Sequence, residues 1–173
     1  DYMSKVTLNK LEVYIAQQVA KSRVKNAEAN GNGRTSADMS RSVYAVFLEG
    51  VYGELAFCKL LNIYPEEVFS MTLPSVKAGT DYGDIHINGL NIDIKTTRYQ
   101  TGMLCATTHN PNIDVYLLMV GDDVTHTYEC RGAMTRDELA QDKNFGNNNG
   151  KFKVPCHYAS QDMLHDYKKL LDI

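Results

Sequence analysis

Apolar positions recur at spacings of three and four from residue 5 to residue 29. Leu8, Leu11, Ile15 and Val19 form the stripe expected of one helix. The run Ala27-Glu28-Ala29-Asn30-Gly31-Asn32-Gly33 suits a stop and a linker. A second helix is predicted over about 38–62, capped by Asp38 or Ser40, with Val43, Phe47, Val51, Leu55 and Cys58 as its stripe and Pro65 just beyond. The period then drops to two. Ile85 and Ile87 alternate with Asp84 and His86; Leu90, Ile92 and Ile94 alternate with Asn91, Asp93 and Lys95. Asn88-Gly89 between these runs predicts a two-residue hairpin turn. Buried strands are expected at 114–120 and 124–130, a helix at 135–141, a polar loop at 144–150 and a helix at 160–171. The order of elements predicts an α/β (α+β) fold.

The hairpin register carries the candidate chemistry. A two-residue turn pairs Ile87 with Leu90, His86 with Asn91 and Ile85 with Ile92. Continued, it sets Asp84 opposite Asp93 on one face. Facing carboxylates ~5 Å apart repel, so a divalent cation or a shared proton is expected between them. Lys95, two residues after Asp93, emerges on that face and can reach a phosphoryl oxygen or orient a water. Glu54 lies between Val51 and Cys58 on or beside the apolar stripe of its helix, where a carboxylate needs a partner or a metal. Gly50 and Gly53 beside it point to close approach of a neighbour. The bland alternatives are a surface salt bridge for Asp84, Asp93 and Lys95, and a helix glutamate paired with a lysine for Glu54.

These residues resemble a known pattern. Gly50-Val51-Tyr52-Gly53-Glu54-Leu55-Ala56-Phe57, Gly83-Asp84-Ile85 and Asp93-Ile94-Lys95 resemble the motifs of the PD-(D/E)XK, or restriction-endonuclease-like, nuclease superfamily. The resemblance covers roughly 41–132. It implies a central mixed sheet flanked by helices, with an N-terminal helical extension on that core. Within one nuclease domain (1–173), residues 1–36 would be the helical arm and 37–173 the catalytic core. By the same resemblance Glu54, Asp84 and Asp93 would be metal ligands for Mg²⁺, with Mn²⁺ able to substitute, and Lys95 the catalytic lysine. The implied activity is metal-dependent hydrolysis of DNA phosphodiesters. Gly83 stands where the family name has proline, and position 93 carries the shorter of the two acids.

Charge and composition add detail. The net charge is −3, but residues 1–41 hold seven basic groups against four acids, a balance of +3 that leaves −6 for the rest. A basic arm on an acidic body suits contact with phosphate and retention of cations, and equally suits a solvated helix face. Thr97 and Arg98 are candidate substrate-binding residues; Thr96 and Gln100 follow the same lysine. Asp81 is a further acid that fits the turn before Gly83, and His86 is more readily an ordinary strand residue. Eleven tyrosines permit base stacking, although most are expected in the core or at its rim.

Cys58, Cys105, Cys130 and Cys156 form no CxxC pair and are expected as reduced thiols. Cys105 with His109 and Cys156 with His157 match no common zinc spacing. No apolar run approaches the ~18 residues of a membrane span. Asp1-Tyr2-Met3-Ser4 lacks the apolar core of an export signal, and Met3 is the expected natural start. A cytoplasmic protein of a bacterial or phage-infected cell is therefore expected, with DNA as partner, a homodimer possible and no membrane. Two other readings stay open: a structure-selective, junction-resolving nuclease, and an inactive nucleic-acid-binding module.

Overall fold

The fold is described from a computed structural model covering residues 5–29, 41–70, 83–107 and 110–173. The expected caps Asp38 and Ser40, together with Asp81 and His109, lie outside these residues.

The first predicted helix divides. Lys5–Thr7 is a short strand, β1, and the helix α1 runs from Lys10 to Ala29. Asn9 marks the break. Its side chain accepts from the Glu12 amide, and the Glu12 carboxylate accepts from the Asn9 amide, a reciprocal cap that satisfies two orphan helix donors. The inward face of α1 also differs from the expected stripe. Ala16, Val19 and Ala20 are buried, whereas Leu11 is 66% exposed. Small residues let the helix lie close to its neighbour α2, Val43–Leu61.

Ser42 caps α2 by accepting from the Ala45 amide, and Asn62 ends it in the left-handed conformation. Every residue from Val51 to Cys58 is buried, so this stretch is enclosed on all sides. A short helix, α3, follows at Glu66–Ser70. The hairpin forms as predicted, with β2 at Ile85–Ile87 and β3 at Leu90–Thr97, and with Ile85, His86 and Ile87 opposite Ile92, Asn91 and Leu90. Asn88 and Gly89 both take positive φ, as the twist of a tight hairpin requires.

Three further strands follow: β4 at Leu104–Ala106, β5 at Val115–Asp122 and β6 at Thr127–Thr135. The main sheet is mixed, in the order β1-β6-β5-β3-β2. β3 and β5 run parallel, and its other pairs are antiparallel. β5 is central and buried from Val115 to Gly121, which explains its unbroken apolar run. One face of the sheet presents Ile92, Ile94, Val115, Leu117 and Met119 to a core shared with α1 and α2. The other presents Tyr116, Leu118, Val120 and Met134 to Leu104, Ala106, Leu139 and Ala159.

That second layer holds what the pattern of apolar positions missed. Helix α4 is only Arg136–Leu139, and β7 (Phe145–Gly146) lies inside the expected polar loop. β8 (Cys156–Ala159) joins β4 and β7 in a three-stranded antiparallel sheet. The predicted C-terminal helix reduces to a 3-10 turn at Gln161–Met163 and α5 at Tyr167–Leu171. Pairing of β4 with β8 brings the Cα atoms of Cys105 and Cys156 to 6.3 Å, and the two are joined in a disulfide. This corrects the reduced-thiol expectation for both residues and removes them as zinc ligands. Cys58 and Cys130 are free, buried thiols. Among the described residues, no helix is long and apolar enough to cross a membrane.

Candidate metal and phosphate site

β3 is the spine of the site. Its even positions, Ile92 and Ile94, face the helical core. Its odd positions, Asp93 and Lys95, lie in register with Tyr116 and Leu118 of β5, on the opposite face. The Lys95 ammonium sits 2.8 Å from Asp93 Oδ1 and 2.9 Å from Oδ2, with the Tyr116 ring centroid 5.9 Å away. Its largest single influence, burial, disfavours the charge. The Asp93 carboxylate, through charge and hydrogen bond, and then Asp84 outweigh it and raise the lysine pKa. Lys95 is therefore a fixed cation at neutral pH.

Asp84 departs from the expected geometry. The regular ladder ends at Ile85 and Ile92, so Asp84 does not pair with Asp93 as a facing strand residue. Its amide donates to the Ile92 carbonyl, 2.8 Å away. Its Oδ2 accepts from the Ile94 amide at 2.7 Å, capping the next donor along β3. Gly83 makes this bend possible: its φ is +98°, and a Cβ there would lie 2.6 Å from the Ile92 carbonyl oxygen. Proline, locked near −65°, cannot adopt that conformation, which accounts for glycine at this motif position.

The carboxylates still act on one another. Burial raises the Asp84 pKa well above the usual carboxylate range, followed by the charges of Glu54 and Asp93; Arg23 and the Ile94 amide pull it back. Asp84 thus stands at the sheet edge, within the fields of an acid on either side.

Glu54 projects from the α2 layer and is 5% exposed. Arg23 of α1 holds it in a bidentate pair, Nη1 to Oε1 at 2.9 Å and Nη2 to Oε2 at 2.6 Å. Arg23 Nη2 also donates to the Val68 carbonyl at 3.2 Å. The bland reading of Glu54 as an ion-paired helix glutamate is thus realised in this conformation, with Arg23 in place of the expected lysine. Arg23 was not anticipated, although its signal was present: it falls three, four and seven residues after Ala20, Val19 and Ala16, on the buried face. Gly53 supplies the close approach expected of it, since a Cβ would lie 1.8 Å from Thr96 Oγ1. Gly50 has only an ordinary contact with Glu54.

The neighbouring candidates take defined positions. The Thr96 hydroxyl is buried against α2 without a hydrogen-bond partner, so it does not face the Lys95 side. Thr97 Oγ1 accepts from the Tyr99 amide at 3.2 Å. The Arg98 guanidinium lies over the Tyr99 ring, 5.3 Å from its centroid. Gln100 accepts from Arg131 at 2.9 Å. His86 is exposed, bonded to Asn91 at 2.7 Å and 3.6 Å from Glu67. Cys58 has its pKa pushed up to about 12, chiefly by burial and then by Glu54 and Asp84.

Three carboxylates, Glu54, Asp84 and Asp93, are set against two cations, Arg23 and Lys95. Among the described residues, no cation is bonded to Asp84, and its Oδ1 has no partner there. Oxygen donors with surplus negative charge are the chemistry of a Mg²⁺ or Mn²⁺ site, so the donor set fits such an ion. Among the described residues, no three acidic, imidazole or thiol side chains converge on one point. Asp84 and Asp93 are the pair nearest that role, with Glu54 held by Arg23.

No protein-family model matches this chain, and neither does any curated protein or solved structure.

Proposed function

We propose that this protein is a Mg²⁺-dependent DNA endonuclease with a restriction-endonuclease-like core. The reading is carried by one observation: Asp84 lies within the fields of Glu54 and Asp93, has no cation bonded to it among the described residues, and is tied through its Oδ2 to the Ile94 amide, the residue before Lys95 on β3. The order of Glu54, Asp84, Asp93 and Lys95 along the chain, and the mixed sheet with helices packed on it, support it further.

Asp84 and Asp93 would hold the ion, with Glu54 joining if Arg23 releases it. A bound Mg²⁺ supplies positive charge opposite a phosphodiester and acidifies water. The protein's own groups do the rest. Lys95, charged throughout the neutral range, holds a non-bridging phosphate oxygen or orients the attacking water. The Ile94 amide fixes Asp84 Oδ2 and so sets the direction of Oδ1. Arg23 holds both Glu54 oxygens in the buried layer behind the strand.

The test is incubation with supercoiled plasmid in Mg²⁺ or Mn²⁺, with EDTA as control. The expected result is metal-dependent nicking or linearisation that Asp93→Ala and Lys95→Ala each abolish, while circular dichroism stays native. Cleavage undiminished in either variant contradicts the assignment. DNA binding without cleavage indicates an inactive binding module instead.

A further inference from the structure

Beyond Lys95, β3 runs into a loop built to display one side chain. The Tyr99 amide donates to Thr97 Oγ1, and the Gly102 amide donates to the Tyr99 carbonyl at 2.8 Å. Gln161 Nε2 ties the loop from the second layer, donating to the carbonyls of Gln100 at 2.8 Å and Gly102 at 2.9 Å. Arg131 holds the Gln100 side chain. Gly102 packs so close to Thr97 that a Cβ would lie 2.4 Å from the Thr97 methyl. A segment tethered at this many points is rigid, yet its tyrosine is 60% exposed. Arg98 covers one face of that ring and donates to its hydroxyl at 3.2 Å.

Such an arrangement does not serve the core, because Tyr99 is out in solvent. It leaves an oriented aromatic face, backed by a guanidinium, at the end of the strand that carries Asp93 and Lys95. Other exposed aromatics, such as Tyr14 and Tyr64, lie on elements without these site residues. The four residues from Lys95 to Tyr99, even if fully extended, span at most ~13 Å, about four stacked nucleotides at ~3.4 Å each. The base pairs of an intact duplex hide their faces in the stack, whereas an unpaired base offers one.

We infer that Tyr99, with Arg98 on its ring, is a stacking platform for an unpaired base of a DNA strand lying along the Asp93–Lys95 edge. The inference deepens the nuclease reading by naming the substrate class: DNA with unpaired bases beside the cut, rather than uninterrupted duplex. It rests on that reading only for the cut, because the stacking itself needs no hydrolysis.

The experiment is therefore a binding measurement in EDTA. Fluorescence anisotropy of a dye-labelled single-stranded oligonucleotide and of a blunt duplex is followed for wild type, Tyr99→Ala and Tyr99→Phe. Loss of one base–aromatic stack predicts weakening of about 5- to 150-fold for single strands in Tyr99→Ala. Tyr99→Phe should bind as wild type, and duplex binding should be the same in all three. The slope of affinity against salt should not change, since no charge is removed. Single-strand binding by Tyr99→Ala equal to wild type overturns the inference, as does equal loss on duplex or no single-strand binding by wild type. Tyr99-dependent binding by a wild type that never cleaves in Mg²⁺ retains the platform and rejects the nuclease. Cleavage indifferent to Tyr99→Ala does the reverse.

Discussion

At the scale of single residues, the arrangement turns on which carboxylates have a cation of their own. Arg23 is 10% and Glu54 6% exposed at the side chain, so their pair lies where an unmatched charge is costly. Arg23→Met is expected to destabilise the fold by about 3–5 kcal/mol, because Glu54 would be left buried and unpaired. Adding Glu54→Leu should recover most of that loss, which urea denaturation of the single and double variants would measure. A double variant no more stable than Arg23→Met would show that the pair is not what stabilises this layer. Glu54 itself was legible from its place between Val51 and Cys58. The inward place of Arg23 was legible in the same way, but its pairing was not, because nothing in a linear stretch says that residue 23 of one helix meets residue 54 of another.

At the scale of elements, local signals worked where the chemistry was local. The Asn88-Gly89 turn set the hairpin register correctly, and the run predicted at 114–120 proved to be the central strand, Val115–Asp122. The same reasoning overreached at Asp84, because a ladder extended by counting takes no account of the left-handed Gly83 that bends the chain. It also merged β1 with α1, although Asn9 and Glu12 carry a capping pattern.

A second capping box can be tested directly. Thr135 Oγ1 accepts from the Glu138 amide, the Glu138 carboxylate accepts from the Thr135 amide, and His165 sits 2.9 Å from that carboxylate. Partial burial is the largest influence on Glu138 and opposes its charge, but the bonds from Thr135 and His165 together hold its pKa below 4.5. A depressed carboxylate contributes stability that is present above its unfolded value and is lost as pH falls through the lower folded one. The stability gap between wild type and Glu138→Gln should therefore be full at neutral pH and close as pH drops below about 4. Urea midpoints measured across that range check it; a gap that widens on acidification would reverse the sign.

At the scale of the whole molecule, the main sheet divides two cores. One is built with the long helices and follows from periodicity. The other depends on β4, β7 and β8, strands of two to four residues, with β4 paired to β8 across some fifty positions, so short apolar runs gave no warning of it. The Cys105–Cys156 disulfide spans 51 positions across this layer. Loop-closure entropy for that length predicts a contribution of about 4 kcal/mol. Cys105→Ser/Cys156→Ser should lose roughly that amount in non-reducing buffer and become insensitive to dithiothreitol. Equal stability of the two proteins before reduction would show that the bridge contributes little.

The central claim is that Asp84 and Asp93 together attract a divalent cation. The most direct measurement is titration with Mn²⁺, with the free ion followed by electron paramagnetic resonance. Wild type should bind the ion and give it up to excess Mg²⁺. Asp84→Asn/Asp93→Asn should leave Mn²⁺ free at the same concentrations while keeping a native circular dichroism spectrum. Equal binding by the double variant, or none by wild type, would contradict the account.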